Sequence, residues 1–295
     1  MNNKRSLKSA LNHEDNIDTV LHKTAKYLSE AGIETSFLEA KILLKEATGL
    51  KSVEIMCERD IRLTSNEIKK LINLSRRRYS REPIFYILGN REFWSLNFNV
   101  DERVLTPRPD SETLIQTAGE TLLDRNSNMS ILDLGVGSGC LLISLLKEYK
   151  YSFGLGVDVS YSAIQVAREN AHKLGVGDRS LFVVSDWASA LNRKYDLIIS
   201  NPPYISSEKI SNLAPEISKF EPKVALDGGI DGLDCYRSIL PNIRSFLKPQ
   251  GTAIIELGEG QEAEIREIAY KSGMRIKGFR ADIAGILRVA ILCHL

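Results

Sequence analysis

Four consecutive residues, Asn201-Pro202-Pro203-Tyr204, combine groups suited to chemistry on a planar nitrogen. An amide or ring-attached amino nitrogen is a poor nucleophile because its lone pair is delocalised. A catalyst has to localise that pair and aim it at an electrophile. Hydrogen-bond acceptors around the two N–H bonds achieve this. Prolines bring no backbone N–H, so the carbonyl of Pro202 and the side-chain oxygen of Asn201 can both accept with little competition from nearby donors. Proline at 202 biases Asn201 toward an extended backbone, and the Tyr204 ring can cover the flat face of the acceptor group. No general base is required, since the proton leaves after alkylation, when the nitrogen has become strongly acidic. A plain turn after a strand is the structural alternative for Asn-Pro-Pro.

A second constellation lies upstream. Asp133-Leu134-Gly135-Val136-Gly137-Ser138-Gly139 reads as a strand end, a glycine loop and a helix beginning near Cys140. Glycines admit positive φ and close approach to a ligand, and the helix behind them points amide donors at it. A dinucleotide fingerprint needs its third glycine where Cys140 stands; here it comes one residue earlier. The GxGxG spacing resembles instead the S-adenosylmethionine (AdoMet) loop of class I methyltransferases, which makes Gly135, Val136, Gly137, Ser138 and Gly139 candidates for cofactor contact. Nineteen residues after Gly139 a second strand ends at Asp158, whose carboxylate can accept from both ribose hydroxyls. A third ends at Asp186-Trp187, a carboxylate and a large ring at the rim of the same crevice, where adenine would lie. Core packing is the alternative for Trp187.

The elements that must position these residues follow from periodicity. Beyond Ser130, short apolar runs (Ile131 to Leu134, Phe153 to Val157, Leu181 to Val184, Leu197 to Ser200, Ala253 to Leu257) alternate with longer helical segments, which predicts a doubly wound, mostly parallel sheet. Arg275 to Arg280 and Leu287 to Leu292 predict an antiparallel pair at its edge. Before this, Ile17 to about Ser80 reads as several short helices, with Phe37, Leu38, Ile42 and Leu44 among the apolar positions. Ser36 with Glu39 and Thr64 with Glu67 fit capping boxes. The run Arg76-Arg77-Arg78 reads as a solvated helix end. Pro83 ends the helix before it, and Ile84 to Val104 alternates as a β-hairpin. Asp110 or Ser111 can cap a helix from about Glu112 to Leu123. The expected divisions are a helical domain at 1–82 with a polar tail at 1–16, a hairpin linker at 83–105 and the α/β domain at 106–295.

A chain of 295 residues, 43% hydrophobic and 26% charged, can bury an α/β core and a small accessory domain. Its net charge of +1 gives no overall basic field for nucleic-acid backbones. The four cysteines, Cys57, Cys140, Cys235 and Cys293, are scattered without a CxxC pair, so neither a zinc site nor a disulfide framework is expected. The polar start and the lack of a long apolar run predict a cytoplasmic protein with no membrane partner.

Several segments resemble the glutamine-N(5) methyltransferases of the HemK/PrmC family. They are Arg81-Glu82-Pro83, Tyr86-Ile87-Leu88-Gly89, Glu92-Phe93 and Val104 to Glu112, then Asn201 to Tyr204, Glu221 to Leu226 and Gly229 to Leu233. The resemblance implies a class I AdoMet-dependent, Rossmann-like seven-stranded domain with a small all-helical substrate-docking domain in front of it. It also implies AdoMet held by Gly135 to Gly139, Asp158, Trp187 and Asn201, with no metal. Asn201, Pro202, Pro203 and Tyr204 would bind the substrate, and Asn201, Pro202 and Tyr204 would act catalytically. The implied acceptor is the glutamine of the Gly-Gly-Gln motif of bacterial class I peptide chain release factors. Thr106, Ser111, Val136 and Ile286-Leu287 depart from the usual pattern. A glutamine of a ribosomal protein is the closest alternative acceptor. An exocyclic amine of DNA or RNA and a non-catalytic AdoMet-binding role are more distant ones.

Overall fold

The computed structural model describes residues 7, 11, 12, 14–58, 60–187, 189 and 191–295. By internal contacts the chain divides into Met1–Leu88 and Gly89–Leu295. Most of the segment expected as a polar tail lies outside the described residues, but Leu7 and Leu11 are buried in the helical core.

The first unit is helical: Ile17–Ser29, Ser36–Thr48, Ser52–Cys57, Ser65–Tyr79 and Ile84–Leu88. Asn16 caps the first of these helices by accepting from Thr19 N at 3.0 Å. Thr64 and Glu67 form the expected capping box. The Ser36 box does not form: Thr35 stands at the cap and its hydroxyl bonds the Glu39 carboxylate instead. The inward stripe of that helix is Ala40, Leu43, Leu44 and Ala47, while Phe37 and Leu38 are exposed. The arginine run is not a solvated end either. Arg78 is buried against the Glu39 carboxylate, and Arg77 donates to Glu82 at 2.9 Å. Arg76 is exposed, Arg77 keeps about half of its side chain in solvent, and only Arg78 is buried.

Ile84–Leu88, read from its alternation as a strand, is a short helix, because Pro83 starts a turn as readily as it stops one. The Pro83 carbonyl accepts from Tyr86 and Ile87. The hairpin is shorter than expected, β1 (Asn90–Phe93) with β2 (Leu96–Asn99). Its two turn residues, Trp94 and Ser95, both take positive φ without glycine. Two hydrogen bonds hold this strained turn, from Trp94 N to Glu112 and from Trp94 Nε1 to Glu148, each 2.8 Å.

The second unit is built on seven strands: β3 (Ser130–Leu134), β4 (Phe153–Asp158), β5 (Ser180–Val184), β6 (Tyr195–Ser200), β7 (Leu247–Glu256), β8 (Met274–Ala281) and β9 (Leu287–His294). Their order is β5-β4-β3-β6-β7-β9-β8. The five strands from β3 to β7 run parallel, and β9 runs antiparallel to both neighbours. The two C-terminal strands form the expected antiparallel pair at the sheet edge, with β9 inserted between β7 and β8. Helices cover both faces, giving one apolar layer with Leu142, Ile143 and Ile164 and another with Tyr236, Ile239 and Ile243. This is a doubly wound, Rossmann-like α/β arrangement with an antiparallel pair at one margin. The ends of β3, β4, β5, β6 and β7 meet on one side, where the strand order reverses around β3 and β6.

Candidate functional site

The glycine loop leaves β3 with positive φ at all three glycines: 77° at Gly135, 52° at Gly137 and 83° at Gly139. They do different jobs. Gly139 caps the helix Cys140–Glu148, and a side chain there would strike Ile143 at 2.8 Å. A Cβ on Gly137 would meet nothing within 4 Å, because this residue faces a cavity. Gly137 N donates to Asp158 Oδ2 and Ser160 N to Asp158 Oδ1, both at 2.9 Å. Burial raises the pKa of Asp158 against the effect of those bonds. Beneath the loop Asp133 is fully buried. Its Oδ2 accepts from Leu142 N at 3.2 Å, and its Oδ1 has no partner among the described residues. Burial pushes its pKa up to about 8, and the nearby Asp158 charge adds to the rise.

The cavity beside this loop measures about 550 Å³, a size suited to a nucleotide-like ligand. Gly135, Gly137, Asp158, Asp186, Trp187 and Asn201 line it. Val136, Ser138 and Gly139 do not. The Val136 side chain turns into the core, where only Gly156 leaves room for it; a Cβ on Gly156 would lie 2.7 Å away. Ser138 is buried behind the loop, and its carbonyl accepts from Asn170. Trp187 holds φ at 48° and serves both readings of it, lining the cavity while packing against the core of one sheet face.

Asn201 to Tyr204 leave the end of β6. Nδ2 of Asn201 donates to Ser111 Oγ at 3.0 Å, which turns Oδ1 away from Ser111. Tyr204 directs its hydroxyl to Glu256 Oε1 at 3.2 Å, and Gly258 makes room for the ring, since a Cβ there would touch it at 3.1 Å. Burial raises the Tyr204 pKa, and the Glu256 carboxylate adds to the rise. Gln261 donates to the carbonyls of Tyr204 and Gly232, and Ile205 exchanges backbone bonds with Leu226 and Gly228. The loop is thus fixed from behind by the segment 226–232.

All four loop residues line a second, smaller cavity of about 120 Å³. Leu105, Asn201, Pro203 and Ala225 belong to both cavities, so the two share a wall. That wall is clamped by an ion pair between Arg108 and the buried Glu221. Burial raises the Glu221 pKa even though the Arg108 charge pulls it down. The Glu221-Pro222 and Pro107-Arg108 segments therefore brace the site.

Reasoning from the sequence missed Ser111, Arg108, Glu221, Gln261 and Glu256 as parts of this site. Ser111 was expected as a helix cap but makes no capping bond. Glu256 carried a visible signal, a carboxylate closing the buried apolar run of β7 as Asp158 closes β4. Among the described residues no group of three or more His, Cys, Asp or Glu side chains could hold a metal ion, and no helix is long and apolar enough to cross a membrane.

Comparison with known proteins matches residues 19–89 to a family described as the PrmC N-terminal domain and residues 111–221 to the methyltransferase small domain. The chain is 38% identical over 275 residues to a release factor glutamine methyltransferase of Bradyrhizobium diazoefficiens, covering 92% of this chain and 93% of that one. It is 39% identical to a protein of the same name from Geobacter sulfurreducens, covering 92% of this chain and 95% of that one. A methyltransferase structure from Pyrococcus furiosus superimposes with a TM-score of 0.51 at 15% identity, over 74% of this chain and 98% of that one. That likeness shows the fold alone.

Proposed function

The chain belongs to the release factor glutamine methyltransferase family, and from that premise we propose that it transfers the methyl group of AdoMet to the side-chain amide nitrogen of the glutamine in the Gly-Gly-Gln motif of bacterial class I release factors. One observation carries the reading: the acceptor-rich loop Asn201 to Tyr204 forms the wall between a cavity of cofactor size and one of side-chain size. The residues fit AdoMet. Gly137 offers a face that any side chain would fill, and Asp158 stands at the end of β4 with a carboxylate on the cavity. When bound, AdoMet supplies an electrophilic methyl on a sulfonium.

The protein's part is orientation. Asn201 Oδ1, held outward by the bond from Nδ2 to Ser111, and the Pro202 carbonyl accept the two N–H bonds of the glutamine amide. The nitrogen lone pair is then directed across the shared wall toward the larger cavity. Tyr204 flanks the amide plane. The proton departs after transfer, when the alkylated nitrogen is strongly acidic. Such a reaction belongs with the translation machinery of the cytoplasm.

The test is incubation with radiolabelled AdoMet and purified Gly-Gly-Gln release factors, alongside versions with glutamine replaced, ribosomal proteins and nucleic acid. Label is expected in the intact release factor alone. Label that survives loss of the glutamine, or that enters only ribosomal protein or nucleic acid, overturns the assignment. Asn201→Ala should lower transfer by about a thousandfold while AdoMet still binds.

A further inference from the structure

Gln261 occupies the cap position of the helix Glu262–Lys271, where a polar side chain can turn back to satisfy the free amides of the helix. It makes no such bond. The side chain reaches across to the acceptor loop and uses both ends of its amide. Nε2 donates to the carbonyl of Tyr204 at 3.2 Å and to that of Gly232 at 3.3 Å, and Oε1 accepts from Gly258 N at 2.9 Å. Gly258 is the residue against which the Tyr204 ring lies, so one side chain governs both the backbone and the ring of Tyr204. Ile265 and Ala269 seat the helix in the core, which gives these contacts a rigid base.

What the contacts achieve follows from the torsions and carbonyls of the loop. Pyrrolidine rings fix φ at Pro202 and Pro203. The chain enters from β6 with the Asn201 amide bonded to Ser111. It leaves through a peptide plane whose carbonyl is held by Gln261 and whose amide, Ile205 N, donates to Leu226 at 3.2 Å. Few torsions remain free between these two anchors. The Tyr204 carbonyl is thereby committed, and the Pro203 carbonyl lies against Gly228, where a Cβ would come within 2.9 Å of it. The Pro202 carbonyl accepts no hydrogen bond from the described residues. Of these three carbonyls, it is the one left to take an N–H of the acceptor.

We infer that Gln261, which lines neither cavity, is the positioning residue that holds the Pro202 carbonyl and the Tyr204 ring in register with the acceptor nitrogen. The inference rests on the nitrogen-methylation reading and deepens it.

The test separates the two ends of the amide. Gln261→Glu keeps an acceptor for Gly258 N and removes both donors, whereas Gln261→Lys keeps donors and removes the acceptor. With labelled AdoMet and a Gly-Gly-Gln release factor, Gln261→Glu should lower kcat at least about thirtyfold and Gln261→Lys less. AdoMet affinity, measured by calorimetry, should stay within about twofold of wild type in both. A merely structural role gives the reverse ranking, since glutamate matches glutamine in shape and a negative charge suits a helix start. A Gln261→Glu variant as fast as wild type, Gln261→Lys slower than Gln261→Glu, or AdoMet affinity lost in step with kcat overturns the inference. Amide hydrogen exchange reads the same contacts without any acceptor. Ile205 N should exchange faster in Gln261→Glu and close to the wild-type rate in Gln261→Lys, and unchanged protection in Gln261→Glu overturns the inference as well. Should Gln261→Glu not fold, by circular dichroism, Gln261→Ala takes its place in both measurements. A wild-type protein that leaves glutamine unlabelled removes the parent reading, and the exchange rates still decide whether Gln261 anchors the loop.

Discussion

Arg108 and Glu221 lie 113 positions apart in the chain and meet as an ion pair in which the Glu221 side chain is only 2% exposed. Removing the arginine strands a buried carboxylate, which costs far more than losing a surface pair. Arg108 keeps a third of its own surface in solvent, so Arg108→Ala should destabilise the protein by about 2 kcal/mol, below the value for a fully enclosed pair. Adding Glu221→Gln to Arg108→Ala should recover part of that loss, because the stranded charge is gone. Urea unfolding of the two variants checks the order, and a double variant less stable than Arg108→Ala refutes it.

Gly137 and Gly139 separate binding from folding. Gly137→Ala adds a methyl group in the larger cavity with little packing conflict, so on the proposed function AdoMet affinity should fall at least about tenfold while the melting temperature falls modestly. Gly139→Ala forces a side chain onto Ile143 and Ala167 and should lower stability by about 2 kcal/mol or more. Calorimetric titration and thermal melts, run on both variants, should show these opposite rankings.

Asp133 makes stability depend on pH in a stated direction. Its folded pKa of about 8 lies far above the ordinary carboxyl value of 3.8, so the folded state holds a proton that the unfolded chain releases. That contribution is complete below about pH 4 and is lost as pH rises through 8. Asp133→Asn keeps an oxygen for Leu142 N and cannot ionise. Its melting temperature should gain on the wild type steadily from pH 4 to pH 8, and parallel curves would contradict the assignment of a neutral buried carboxyl.

Local patterns announced part of this site, and distant ones did not. The glycine loop and Asp158 were legible because strand, glycine and helix follow one another in the sequence, each with its own period. Ile84–Leu88 misled because aromatic and β-branched residues alternate in it, yet Pro83 nucleates a helical turn. Phe37 and Leu38 share a helix with Leu43 and Leu44 but face outward, since the apolar stripe could be drawn along either side. Ser111 was legible as a possible cap, whereas its partner Asn201 lies 90 positions away and only the sheet brings the two together. The Glu256 carboxyl, as the end of a buried strand, could have been singled out by the same rule that picked Asp158.

The position of β9 between β7 and β8 sets an order of assembly. A ribosome makes β8 before β9, so β8 has no neighbour to join until residues 287–294 emerge. Until then β7 presents a bare edge of unpaired amides and carbonyls, including the strand that ends in Glu256. The parallel half of the sheet can form early, but its exposed margin closes only with the last stretch of chain. Interruption of synthesis before residue 287 should therefore leave a species prone to pair with another strand edge, and chaperone dependence should concentrate in that interval.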